Sequence, residues 1–174
     1  MKKIQLLLVD DHEVVRSGLR MLLEDKPDIQ IVGEAGTASE AVNSTNILKP
    51  DVILMDIGLP DMSGIDATRK IKGLWPTIAI VALTIHEDEE YFFKMLEAGA
   101  SGYVPKRAAP EELLTAIRVA ASGEVYLYPS LAKLLVKDYF TQNNLDQDSH
   151  TLDGLTGRQQ EVLALLAEGA TNSE

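Results

Sequence analysis

Ile4-Gln5-Leu6-Leu7-Leu8-Val9-Asp10-Asp11 passes from a short apolar run directly into two adjacent acids. A run of that length, rich in branched aliphatics, reads as a buried strand rather than a helix. Three more runs end in the same abrupt way. Val52-Ile53-Leu54-Met55 meets Asp56, Ile78-Ala79-Ile80-Val81-Ala82-Leu83 meets Thr84, and Tyr103-Val104-Pro105 meets Lys106. Amphipathic stretches separate the runs, the alternation expected of an α/β protein with a doubly wound parallel sheet. Five such repeats predict five strands. In a parallel sheet the carboxyl ends of the strands share one edge, where open α/β sheets bind their ligands. Three carboxylates, a hydroxyl and an ammonium are therefore expected to converge there.

The helices follow from the periodicity between the runs. Val15, Leu19, Leu22 and Leu23 form the apolar face of the first, and Ile29-Gln30-Ile31-Val32 is a second strand followed by a helix from Ala38 to Leu48. Lys49-Pro50 breaks that helix. The loop Gly58-Leu59-Pro60-Asp61-Met62-Ser63-Gly64 leads into a helix whose buried face is expected at Ile65, Ala67, Ile71 and Leu74. Glu87 to Ala98 reads as a helix stopped by Gly99, a residue suited to a left-handed cap. Pro110 opens the next helix, Glu111 and Glu112 complement its dipole, and Leu113, Leu114, Ile117 and Ala121 are its expected buried face.

The composition changes beyond Gly123. A helix is expected from Ser130 to Phe140, then a polar linker from Thr141 to Asp153. Thr156 and Gln159 have capping-box spacing, Val162, Leu163, Leu165 and Leu166 supply an apolar face, and Gly169 is expected to end that helix. A second capping box opens at Thr171 with Glu174, so the chain is expected to be cut inside a larger domain. This divides it into 1–122, a helical linker 123–154, and 155–174.

The 174 residues carry a formal charge of -11 and no Cys, and contain no long uncharged apolar stretch. Secretion and membrane insertion are thereby disfavoured, and a cytoplasmic home is expected. Nucleic-acid affinity rests largely on Lys and Arg neutralising phosphates. From Gly123 onward three basic residues face eight acidic ones, so this chain alone is not expected to bind DNA.

Oxygen ligands from Asp10, Asp11 and Asp56 are of the kind Mg²⁺ takes, with water and substrate oxygens completing its octahedron. Clustered carboxylates resist ionisation together unless a cation lies among them. With that cation present, Asp56 can attack phosphorus, Asp10 and Asp11 hold the ion, and Lys106 and the Thr84 hydroxyl bind phosphoryl oxygens. Any one such Asp is ordinarily a turn residue or a helix cap. The ordered set, acids after strands one and three, a hydroxyl after four and a lysine after five, is what distinguishes this chain. Tyr103, an aromatic in the last strand, also fits ordinary packing.

Leu8-Val9-Asp10-Asp11-His12-Glu13, Pro50-Asp51-Val52-Ile53-Leu54-Met55-Asp56, Leu59-Pro60-Asp61-Met62-Ser63-Gly64, Leu83-Thr84 and Gly99-Ala100-Ser101-Gly102-Tyr103-Val104-Pro105-Lys106 closely resemble the receiver domain of bacterial two-component response regulators. The resemblance covers Met1 to about Ser122. It implies a flavodoxin-like fold, phosphorylation of Asp56 by a sensor histidine kinase, dependence on Mg²⁺, and Thr84 with Tyr103 as a switch pair. Gly123 to Pro129, Leu155 to Leu163 and Glu168 to Glu174 resemble the linker and the opening of the LuxR-type helix-turn-helix unit of the NarL/FixJ subgroup. That similarity implies transcription control through DNA by the complete protein, with homodimers formed on phosphorylation. The recognition helix of that unit would follow Glu174.

The sequence departs from many receivers in placing Pro105 before the lysine and Arg107 after it, which rules out a cis Lys-Pro bond there. Gly58 and His86, two positions after Asp56 and Thr84, flank the expected phosphoryl site and either govern attack by water or are plain loop residues. Two other readings are a Mg²⁺-dependent phosphatase of the haloacid dehalogenase type, which wants an acid where Gly58 stands, and a naturally short receiver acting as a phosphoryl sink or sequestering partners. A phosphoacceptor is expected, not a dedicated enzyme.

Overall fold

The structure, a computed structural model, describes residues 2–85, 88–145 and 157–171. Strands and helices alternate along the chain as β1 (Ile4–Val9), α1 (Glu13–Leu23), β2 (Ile29–Ala35), α2 (Ala38–Leu48), β3 (Val52–Asp56), α3 (Gly64–Leu74), β4 (Ala79–Thr84), α4 (Glu89–Glu97), β5 (Gly102–Pro105) and α5 (Pro110–Ala121). There follow β6 (Tyr126–Leu127), α6 (Pro129–Leu145) and α7 (Gly157–Thr171). The sheet order is β2-β1-β3-β4-β5-β6, with every neighbouring pair parallel.

Because side chains alternate across a strand, each strand feeds two cores. Leu7, Val9, Ile53, Met55, Ile80, Ala82 and Tyr103 face α2, α3 and α4, where they meet Ala41, Ile71, Phe92 and Met95. Leu6, Leu8, Val52, Leu54, Val81, Leu83 and Val104 face the opposite layer, where they meet Leu23 of α1 and Leu113, Leu114 and Ile117 of α5. β3 and β4 are buried along their whole length, which explains their unbroken apolar sequence.

The sheet has six strands, not five. Tyr126 pairs with Gly102 and Leu127 with Tyr103, and a strand this short offers no alternation to read. β2 likewise runs on to Ala35, past the expected Val32. Leu74 is 57% exposed, contrary to expectation. Ile71 and the half-buried Trp75, four positions on, continue the inward face of α3 instead, and Trp75 packs against the core. On α5 the inward position is Ala120, three after Ile117, while Ala121 faces out.

α6 extends past Phe140 into the stretch expected to be a linker. Its polar residues sustain the helix, since Thr141 Oγ1 donates to the Lys137 carbonyl at 2.9 Å and Gln142 Nε2 to Asp138 at 2.9 Å. α7 passes through Gly169 to Thr171. One helical glycine costs about 1 kcal/mol relative to Ala and is tolerated. Thr156 and Glu174, members of the two expected capping boxes, and Glu87, the expected start of α4, lie outside the described residues. Gly99 does close α4, with φ 98° and its N–H donating to the Leu96 carbonyl at 2.9 Å.

α6 and α7 pack on the α4 side of the sheet. Leu131, Leu135 and Val162 are buried in the same cluster as Phe92 and Tyr103. Arg158 Nη2 donates to the Ala100 carbonyl at 2.8 Å, joining the start of α7 to the turn before β5.

Candidate functional site

Strand register alone brings the acidic residues together. Val9 lies opposite Met55 in the β1–β3 ladder, so the next residues, Asp10 and Asp56, emerge side by side. Asp56 in turn lies opposite Leu83, and Thr84 opposite Pro105, which carries Thr84 and Lys106 to the same edge. The Lys106 amide donates to the Thr84 carbonyl at 2.8 Å and fixes the turn that aims its side chain.

Lys106 Nζ lies 2.5 Å from Asp10 Oδ2 and 3.3 Å from Asp56 Oδ1. Asp10 is 1% exposed and Asp56 6%. Asp10 Oδ1 also accepts from the His12 amide at 2.9 Å, and Arg16 Nη1 donates to the Asp10 carbonyl oxygen at 2.6 Å. Asp11 is more open, with His12 Nδ1 2.8 Å from its Oδ1. Thr84 is buried at the end of β4. Tyr103 is fully buried, its ring edge-on to Phe92 with centroids 5.4 Å apart. Gly58 lies beside the site, with its amide 3.4 Å from Asp56 Oδ1. His86 lies outside the described residues.

Burial pushes the Asp56 carboxyl above its ordinary range, against the opposing pull of the Lys106 ammonium; the neighbouring Asp10 adds to the rise. The three carboxylates have a single ammonium among them, an arrangement that favours a further cation. Asp10, Asp11, His12 and Asp56 each offer one ligand atom, all within 4.8 Å of one another. This donor set fits a divalent metal ion.

The loop between β3 and α3 is tied down from two directions. A Cβ on Gly64 would lie 2.0 Å from the Asp56 carbonyl oxygen, so the chain can close over the end of β3 only with glycine here. The Gly64 amide donates to the Ile57 carbonyl at 2.8 Å. Asp61 caps a different helix: its carboxylate accepts from the Ala38 and Ser39 amides at 2.8 and 2.9 Å, at the start of α2. Hydrogen bonds from the Ser39 hydroxyl and these two amides hold Asp61 well below the usual carboxylate range.

Sequence reasoning named Asp10, Asp11, Asp56, Thr84 and Lys106 but assigned nothing to His12, Arg16 or Asp61. For His12 a signal existed, its position directly after the two acids. The partners of Arg16 and Asp61 are set by tertiary packing and leave no local trace.

The response regulator receiver domain family matches residues 6–118. The transcriptional regulatory protein DegU of Brevibacillus brevis is 34% identical over 98% of this chain and 77% of its own length. The crystal structure of a two-component response regulator of the LuxR family from Aurantimonas sp. SI85-9A1 superposes with a TM-score of 0.76 at 37% identity, covering 80% of this chain and 99% of the other. The Salmonella typhimurium RcsB response regulator, described for its conformational dynamism in DNA interaction, gives 0.73 at 28% identity over 97% of this chain and 79% of its own. With the sheet order, the acidic edge and these matches in agreement, the chain belongs to the response regulator receiver family and is of the NarL/FixJ, LuxR-related kind.

Proposed function

We propose that Asp56 is a phosphoacceptor whose modification switches the molecule. The observation that carries this reading is the meeting of Asp10, Asp56 and Lys106 at one sheet edge, with Lys106 within 3.3 Å of both carboxylates. A bound Mg²⁺ would be held by Asp10, Asp11 and Asp56, and it supplies charge neutralisation between the carboxylate and an incoming phosphoryl group. An Asp56 oxygen attacks phosphorus on a phosphohistidine of a sensor kinase, the P–N bond breaks with its electron pair leaving on the imidazole, and an acyl phosphate forms. Lys106 binds a phosphoryl oxygen as a charged donor, and the Thr84 hydroxyl binds another. The chain is thus a substrate that assists its own modification, not a dedicated enzyme.

Thr84 and Tyr103 form the switch pair, and Gly58 and His86 set how readily water removes the phosphoryl group. Residues 1–122 form the phosphoacceptor unit, 123–154 the helical linker and 155–174 the first part of a helix-turn-helix unit. DegU is named as a transcriptional regulator and RcsB is described in DNA interaction, which supports control of transcription through DNA. On this reading, that control is exerted in the cytoplasm by phosphorylated homodimers of the complete protein. Among the described residues no helix is long and apolar enough to cross a membrane.

The experiment is treatment with a small phosphodonor in the presence and absence of Mg²⁺, followed by intact-mass spectrometry. Wild type gains one phosphoryl group only with Mg²⁺, and Asp56→Asn gains none. Equal labelling of the two proteins rejects the reading.

A further inference from the structure

We propose that His12 is a nitrogen ligand of the cation site, which gives the site a stronger preference for borderline ions such as Ni²⁺ over Mg²⁺ than three carboxylates alone would give. The inference rests on the reading of the acidic edge as a cation site and adds a fourth protein ligand to it. Donors bound at about 2.1 Å and at right angles lie about 3 Å apart, and opposite donors about 4.2 Å. His12 Nδ1 is 2.8 Å from Asp11 Oδ1 and 3.2 Å from Asp10 Oδ1, the separations of adjacent ligands. The full set of four ligand atoms spans no more than 4.8 Å, so a contraction of about half an ångström brings it onto one ion.

The backbone holds the ring in place. His12 is the N-cap of α1, with φ -91° and ψ 110°, and its amide is tied to Asp10 Oδ1 at 2.9 Å. Its side chain makes no capping bond to the helix and turns Nδ1 toward the acids instead. With 66% of the side chain exposed, the ring is not held there by burial. In the ligating form the hydrogen sits on Nε2 and the Nδ1 lone pair faces the ion. Mg²⁺ prefers oxygen donors, whereas imidazole suits Ni²⁺, Zn²⁺ and Cu²⁺.

The test uses the untagged full chain and titration calorimetry with Mg²⁺ and, separately, Ni²⁺, for wild type and His12→Ala. Loss of the ring is expected to weaken Ni²⁺ binding by about tenfold or more while changing Mg²⁺ binding by less than about twofold. Pulsed electron paramagnetic resonance of bound Mn²⁺ provides a second readout, independent of affinity. Wild type is expected to show nitrogen modulation from one imidazole, and His12→Ala none. Unchanged Ni²⁺ affinity, equal loss for both ions, or a nitrogen signal that persists in His12→Ala overturns the assignment and leaves the Mg²⁺ site standing. Failure of wild type to bind either ion overturns both. Circular dichroism melting of the variant separates a lost ligand from a lost fold.

Discussion

A methyl group at position 64 would meet the Asp56 carbonyl oxygen at 2.0 Å, and neither backbone can yield without moving the other. Gly64→Ala is therefore expected to cost about 1–3 kcal/mol in urea unfolding, the range for overpacking a rigid site, and to slow phosphodonor labelling as well. Asp56→Asn works in the opposite direction. Burial raises the Asp56 carboxyl in the folded state, so its contribution is most favourable below the unfolded carboxylate range and is lost as pH rises through the raised folded value. Without divalent cations, Asp56→Asn should melt above wild type at neutral pH, with the gap closing on acidification; an equal or lower melting temperature at pH 7 would contradict this. Asp61 has the reverse sign. Its lowered carboxyl stabilises the fold above the usual range and ceases to do so as pH falls, so the deficit of Asp61→Ala should shrink in acid. At this scale the strand-end residues Asp10, Asp56 and Lys106 were legible because an apolar run points at each one. Gly64 and Asp61 were visible only as loop residues, since what makes each necessary is a backbone or a helix end distant in sequence.

Among the elements, α7 is held to the rest of the fold by contacts that single substitutions can cut. It touches the α4 side of the sheet through buried Val162 and through the hydrogen bond from Arg158 to Ala100. Val162→Asp buries an unpaired charge there and is expected to release α7 while the sheet persists. Hydrogen exchange should then rise across 157–171, with the amides of β1, β3 and β4 still protected. Simultaneous loss of protection in those strands would show that α7 is integral to the fold. α2 was read from the sequence over its full length. The misreadings include a two-residue strand, the end of β2 past Val32, Leu74 and Ala121 on the outward sides of α3 and α5, the polar end of α6 sustained by its own side-chain bonds, and Gly169, which α7 passes through.

For the molecule as a whole, the unbalanced charge of the sheet edge makes stability depend on what is bound. A cation that binds only the folded chain stabilises it by about 1.4 kcal/mol at ten times its dissociation constant. Mg²⁺ is therefore expected to raise the melting temperature of wild type, and Asp10→Asn should lose most of that increment in calorimetry. The alternation of strands and helices implied a parallel sheet and the receiver resemblance a flavodoxin-like one, but the sixth strand required the folded chain. That short sixth strand also limits how these molecules can polymerise. A foreign strand approaching this side finds only the span Tyr126–Leu127 to zip against, while the opposite border, β2, carries Glu34 pinned by Arg16 and Arg20. Fibre growth from either border is thus hindered, by brevity on one side and by fixed charge on the other.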